Sequence, residues 1–199
     1  MMRAFSLAEA REWLQATLAG PRTDAGELWF DGVSTDTRAV GEGQLFVALR
    51  GERFDGHEFL GQALTQGAVA AVVDTEVTDV AIPQLVVSDT VQALADLASA
   101  NRSGSAARLV AITGSSGKTT VKEMIAAILR QCGPVLATKG NLNNQIGVPL
   151  TLLQLQPAHR YAVIEMGASG PGEIAYLCSL AKPDVVLVNN VMPAHVAGF

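Results

Sequence analysis

Eight consecutive residues, Thr113-Gly114-Ser115-Ser116-Gly117-Lys118-Thr119-Thr120, combine two glycines, a lysine and five hydroxyl side chains. That set is suited to phosphate. Gly114 and Gly117 let the backbone curl so that successive amides point at phosphate oxygens, and a helix opening at Lys118 adds its positive end. Lys118 supplies a point charge for the β- and γ-phosphates, and the Thr119 hydroxyl is a natural magnesium ligand. The strict phosphate-loop pattern has glycine where Ile112 stands, so this is a variant loop. A glycine turn that merely precedes Lys-Thr-Thr is the competing reading. The frame decides against it, because the loop follows an apolar strand and opens a helix.

Other groups could complete such a site. Glu165 closes the apolar run Tyr161 to Ile164 and is followed by Met166-Gly167-Ala168-Ser169. A carboxylate there can hold magnesium directly or through water. It can equally pair with a neighbouring cation or cap the next turn, and the residues alone leave both readings open. Asn189-Asn190 ends the last apolar run, and His195 stands beyond it, singled out only by that position. Asn141, Asn143 and Asn144 either cap the helix that follows or face nucleotide or substrate. His57 and His159 sit in polar, loop-like settings that indicate nothing.

The elements that must position these groups follow from periodicity. Ser6 to Glu9 fits a capping box, and Leu7, Ala10, Leu14 and Leu18 recur at helical spacing up to Gly20-Pro21. A turn-rich stretch with short strands at 28–30 and 45–49 leads to a helix carrying Phe59, Leu60, Ala63 and Leu64. Strands at 68–73 and 85–87 follow, then a helix capped by Asp89-Thr90 and a polar loop at 101–106. From Leu109 the order becomes regular: strand 109–113, helix 118–131, strand 135–138, helix 145–155, strand 161–166, helix 173–181 and strand 185–188. Unbroken apolar strands alternating with helices predict a parallel sheet covered on both faces. A domain boundary is expected near residues 83 to 89.

Composition narrows the class. The 199 residues are 49% hydrophobic and 17% charged, which excludes a disordered chain. No apolar run reaches the roughly 18 residues of a spanning helix, so no membrane insertion is expected. With 14 basic and 19 acidic residues the net charge is −5 and the pI about 5.1, an argument against a broad grip on nucleic acid. Two cysteines are too few for a disulfide framework, and the first residues show no apolar signal-peptide core. The expected setting is the cytoplasm.

The Thr-Gly-x-x-Gly-Lys-Thr-Thr loop, the run Gly140-Asn-Leu-Asn-Asn-Gln-Ile-Gly-Val-Pro149, Glu165-Met166-Gly167, and Asn189-Asn190 before Ala194-His195 resemble the Mur ligases, in that order. These are the ATP-dependent amide-bond-forming enzymes of peptidoglycan precursor synthesis. Ser34-Thr35-Asp36-Thr37-Arg38, Gly43 to Gly51 and Asp55-Gly56-His57 resemble the family's uridine-nucleotide domain. Alanine before the histidine, and the Asn-Leu-Asn-Asn run, are similar to the members that add D-alanyl-D-alanine to UDP-N-acetylmuramoyl-tripeptide.

The resemblance implies ATP and Mg2+ as cofactors, those two compounds as substrates, and a monomer. It implies nucleotide contacts from Gly114, Ser115, Ser116, Gly117, Lys118, Thr119, Thr120 and Asn144. It places one magnesium on Thr119 and Glu165 and has His195 help hold a second, with Lys118, Glu165 and His195 as the catalytic set. Ser34, Thr35, Asp36 and Arg38 are assigned to the uridine diphosphate; otherwise they form an ordinary turn with a local Asp-to-Arg ion pair. The fold implied is α/β: a small mixed N-terminal domain at 1–85, then the first part of a parallel-sheet P-loop ATP-binding domain at 86–199. Family members are over twice this length, so the chain is expected to be an N-terminal portion, lacking the C-terminal domain and inactive alone. A P-loop kinase or nucleotide hydrolase is the alternative, but it gives no reason for the Asn run or the first domain. A non-catalytic module that binds nucleotide, and a partner protein through 1–85, is another.

Overall fold

The structure, a computed structural model, describes residues 2–21, 28–52 and 54–192. Its elements run β1 (Phe5–Ser6), α1 (Leu7–Leu14), β2 (Thr17–Ala19), β3 (Trp29–Phe30), β4 (Gly32–Ser34), β5 (Gln44–Val47), β6 (Arg50–Gly51) and β7 (Phe54–Asp55). A 3-10 turn at Gly56–Phe59 leads into α2 (Leu60–Thr65), β8 (Ala70–Val73), β9 (Gln84–Val86) and α3 (Thr90–Ser103). Then come β10 (Arg108–Thr113), α4 (Lys118–Arg130), β11 (Val135–Ala137), α5 (Gly147–Leu152), β12 (Tyr161–Glu165), α6 (Glu173–Ala181) and β13 (Val185–Val188). Among the described residues no helix is long and apolar enough to cross a membrane.

The chain divides into two units, Met1–Leu97 and Ala98–Phe199. The division falls inside α3, whereas the sequence puts it on β9 and the turn that follows. Nothing between Thr90 and Ser103 interrupts that helix with glycine or proline, so α3 itself runs from one unit into the next.

In the first unit a five-stranded sheet has the order β2-β9-β8-β5-β4. Only the β2–β9 pairing is antiparallel; β9, β8, β5 and β4 run parallel. Every residue of β8 is buried, as its unbroken apolar run requires. Phe46, Ala71 and Val73 of the sheet pack with Leu60 and Ala63 of α2 and with Ile82. The capping box forms: the Glu9 amide donates to Ser6 Oγ at 3.2 Å and the Ser6 amide to Glu9 Oε2 at 2.8 Å. The helix stops before Leu18, however. Gln15 adopts a left-handed φ of 50°, its amide donates back to the Arg11 and Glu12 carbonyls, and Leu18 pairs with Leu85 in the sheet.

The second unit holds a four-stranded parallel sheet in the order β11-β12-β10-β13. Ile112, Val163 and Leu187 pack against Val121, Ile125 and Ala126 of α4. At the edge, where β13 bonds only to β10 among the described residues, Val185, Val186 and Val188 are exposed. The expected loop at 101–106 is helical to Ser103. Asn101 and Arg102, which read as loop residues, are buried there: Asn101 Nδ2 donates to the Leu152 and Leu155 carbonyls, and Arg102 to those of Ala181, Lys182 and Ser105. The helix expected over 145–155 shortens to Gly147–Leu152 and gives way to tight turns at Gln154 and Leu155.

Candidate functional site

β10 lies between β12 and β13, so the loop that follows it has a strand end on either side. Ligands collect at such a point of a parallel sheet. Gly114 and Gly117 take φ values of 140° and 72°, conformations that side chains rarely adopt. A Cβ on Gly114 would also lie 3.0 Å from the backbone N and O of Asn190. Gly117 caps α4 without any side-chain acceptor, which leaves the first amides of that helix as donors for an anion. Lys118 folds back over the loop, its Nζ donating to the Gly114 carbonyl at 2.7 Å. Thr120 is exposed on the first turn of the same helix.

The end of β12 supplies the carboxylate. Glu165 pairs in register with Ile112 and is buried, 3% exposed. Thr119 Oγ1 donates to Glu165 Oε2, and Asn143 Nδ2 donates to Oε1, both at 2.9 Å. The Asn143 carbonyl also accepts the Gly167 amide at 2.8 Å, tying that loop to the strand end. Asn143, and not the Asn144 that the resemblance singles out, is thus the asparagine on Glu165. Asn144 instead accepts the Ile146 and Gly147 amides at 3.1 and 2.9 Å, capping α5. Sequence already marked the cluster of asparagines; only the turn between them decides which one points where.

The end of β13 closes the other side. The Asn190 carbonyl accepts the Ser115 amide at 3.1 Å and its Oδ1 accepts the Ser116 amide at 2.9 Å. Asn189 Nδ2 donates to the Ser116 carbonyl at 2.7 Å, and Ser115 Oγ donates to the Met192 carbonyl at 2.8 Å. The loop is therefore fixed by neighbouring strand ends as well as by its glycines. His195 lies outside the described residues. Among those described, no three His, Cys, Asp or Glu side chains group as a metal site. Thr119 and Glu165 nevertheless offer hard oxygen donors of the kind magnesium takes alongside water and phosphate oxygens, so this donor pair fits that ion.

In the first unit a cleft of about 590 Å³ is lined by Thr35, Asp36, Arg38, Phe54, Phe59 and Gln62, among others. Arg38 donates to both Asp36 carboxylate oxygens, at 2.9 and 2.7 Å, and that guanidinium holds the Asp36 carboxyl down at about 2. Ser34 is buried and uses its hydroxyl on the backbone of Asp36 at 3.0 and 3.2 Å. Thr37 Oγ1 donates to Gln62 Oε1 at 3.1 Å.

His57, whose polar, loop-like setting indicated nothing by itself, is buried. Its Nδ1 lies 2.6 Å from Asp55 Oδ1, while Nε2 accepts the Asp74 amide at 3.1 Å, which puts the ring proton on Nδ1. Arg50 bridges Asp55 and Asp74. The spacing Asp55-Gly56-His57 was visible; the third partner, seventeen residues on, was not.

Residues 30–102 match the catalytic-domain model of the Mur ligase family, and residues 112–199 match the Mur ligase middle domain. The UDP-N-acetylmuramoyl-tripeptide–D-alanyl-D-alanine ligase of Escherichia coli (strain K12) is 51% identical over 198 residues, covering 100% of this chain and 42% of that protein. Its counterpart from Haemophilus influenzae is 48% identical, with 100% and 43% covered. The crystal structure of MurF from Acinetobacter baumannii superposes with a TM-score of 0.89 at 39% identity, over 100% of this chain and 43% of that one. MurF ligase from Thermotoga maritima, solved in complex with ADP, gives 0.74 at 39% identity, over 83% and 38%. The chain spans about two fifths of the length of the curated relatives it matches. With two family domains in sequence, a mixed α/β fold shared with those solved ligases, and a phosphate loop set against a buried strand-end carboxylate, the chain belongs to the Mur ligase family.

Proposed function

We propose that this chain supplies the uridine-nucleotide-binding and phosphate-loop portions of an ATP-dependent ligase. The ligase joins D-alanyl-D-alanine to UDP-N-acetylmuramoyl-tripeptide in peptidoglycan precursor synthesis. The single observation that carries the reading is the Thr119–Glu165 pair, 2.9 Å apart and beside an uncapped helix N-terminus after a phosphate loop. The curated relatives named for this reaction, at 51% and 48% identity, support these substrates. An acidic composition with only two cysteines fits a cytoplasmic enzyme of small anionic substrates, and the family resemblance is what implies a monomer.

The chemistry sets what the residues must do. A free carboxylate cannot expel oxide, so the tripeptide carboxylate first attacks the γ-phosphate of ATP, giving an acyl phosphate and ADP. The amine of D-alanyl-D-alanine then adds to the acyl carbon, loses a proton, and the tetrahedral intermediate collapses with inorganic phosphate leaving. Phosphoryl transfer gains from positioning and charge neutralisation more than from covalent catalysis. The amides of the loop and of the first turn of α4 bind phosphate oxygens, and Lys118 trades its Gly114 carbonyl for the β- and γ-phosphates. Thr119 and Glu165 would hold magnesium, which when bound neutralises charge between those phosphates. In the first unit, the Thr35–Arg38 turn and the Phe54 and Phe59 rings form the wall for the uridine diphosphate.

Isothermal titration with UDP-N-acetylmuramoyl-tripeptide tests the substrate half. The expected result is saturable binding that UDP competes away. A folded chain that takes up ADP but neither uridine nucleotide would sink the ligase reading and leave a kinase, a hydrolase or a binding module.

A further inference from the structure

We propose that Lys122 is a positioning residue: through Thr138 it holds the strand end that carries Glu165 against Thr119 of the phosphate-loop helix. This role rests on reading that site as one for a magnesium–nucleotide complex.

Lysine is almost never fully buried unless paired, yet Lys122 on α4 is 1% exposed. A leucine or methionine would fill the same space without the cost of removing an ammonium group from water. One of its contacts is with Glu123 at 3.0 Å, but that side chain is 56% exposed, and exposed pairs of this kind contribute little. The directed contact is the other one. Lys122 Nζ donates at 2.6 Å to the carbonyl of Thr138, the residue that follows β11.

Thr138 is itself buried, 1% exposed, and it faces the neighbouring strand with both of its other polar groups. Its amide donates to the Val163 carbonyl at 3.0 Å, and its Oγ1 accepts the Glu165 amide at 2.9 Å. Lys122 therefore fixes a residue that in turn fixes the backbone from which the Glu165 carboxylate projects. Thr119 and Lys122 are three residues apart and share one face of α4. One face of the helix thus engages this strand-end layer twice, by Thr119 at the carboxylate and by Lys122 one turn behind it. Removing the second tie leaves the Thr119–Glu165 pair with the right groups and a looser spacing between them.

The experiment measures ADP binding to the whole chain by calorimetry, once with magnesium and once with EDTA. The ratio of the two affinities isolates the metal's share. Residues that support metal ligands from behind typically change metal affinity roughly 10- to 100-fold when lost. Lys122→Met is expected to cut the magnesium-dependent gain by about tenfold, at the lower end of that range, while the affinity in EDTA stays unchanged. Thr138→Val should do the same, Thr138→Ser should retain the gain, and the double variant should be no worse than the weaker single, because both act on one route. A wild-type gain in Lys122→Met, or losses that multiply in the double variant, would overturn the proposal. Should Lys122→Met fail to fold by circular dichroism, the Thr138 variants decide: a wild-type gain in Thr138→Val removes the route. No magnesium-dependent gain in the unmodified chain overturns the reading of the site itself, an outcome distinct from every variant result.

Discussion

In the second unit, the six residues from Gly114 to Thr119 carry most of the candidate chemistry, and two strand ends hold them in place. In the first unit, the cleft draws its described lining from positions 35 to 62, and the Arg38 guanidinium there is already paired with Asp36. Phosphate recognition by backbone amides needs consecutive residues in a fixed conformation, so its chemistry is compressed into a short motif. A cleft for a larger ligand needs walls, and walls come from whatever elements the fold brings together. The first arrangement should be sensitive to single residues and the second tolerant of them.

Lys118→Ala is the sharpest way to break that contrast. A hydrogen bond to a charged group contributes about 1.5–3 kcal/mol, so ADP or ATP affinity should fall by roughly one to two orders of magnitude. In the cleft, Arg38→Ala should weaken UDP-precursor binding far less than that, since solvent screens an exposed charge already paired with Asp36. The Arg38 side chain is 85% exposed. Parallel titrations of the two variants against both nucleotides check this. Equal losses at both sites would show that the first unit also concentrates its binding in one residue.

The same contrast explains what was legible in the sequence. Gly114, Gly117, Lys118 and Thr119 could be read because strand, loop and helix are contiguous there, and Glu165 because it ends an apolar run. Asn143 could be narrowed only to a cluster, since a single residue of slip exchanges the helix cap for the carboxylate. Lys122 is harder still. A lysine on an amphipathic helix reads as solvent-facing, and only the position of Thr138, sixteen residues on, makes it an inward one. Leu18 and Asn101 fail for the same reason in opposite directions. Leu18 keeps helical spacing but is taken by a strand partner at Leu85, and Asn101 is polar but buried by two carbonyls beyond residue 150. Local pattern cannot encode partners that far along the chain.

A second comparison lies in stability. Gly56 follows the β6–β7 hairpin and lines the cleft, and a Cβ there would meet the Leu49 carbonyl oxygen at 2.8 Å and the Ala48 backbone at 2.9 Å. All of these are main-chain atoms, so the neighbours cannot swing away. Forcing an extra methyl into such a place costs about 1–3 kcal/mol. Gly56→Ala should therefore lower the melting temperature of the first unit by several degrees. Trp13 and Trp29, the two tryptophans of the chain, both lie in that unit, so their fluorescence follows its unfolding alone. At Gly140, where nothing lies within 4 Å, the corresponding change meets no neighbour and only the left-handed φ of 55° opposes it.

Acid should separate the units by a smaller margin. The Arg50 guanidinium, donating to Asp74 at 2.8 Å through both Nε and Nη2, holds that carboxyl near 2 against an ordinary value of 3.8. A folded value below the unfolded one means that the charged carboxylate favours the native state. Its contribution is complete above the unfolded value and disappears as pH falls from about 4 to about 2. Asp74 keeps 23% of its side chain exposed, and solvent screening reduces the effect to about 1 kcal/mol. Urea unfolding followed by tryptophan fluorescence should show Asp74→Asn less stable than the unmodified chain at pH 6, with the gap closing by pH 2. A gap that persists at pH 2 would mean that Asp74 acts through its contacts with Thr75 and His57 whatever its charge, and that the ion pair with Arg50 is not what holds this cluster.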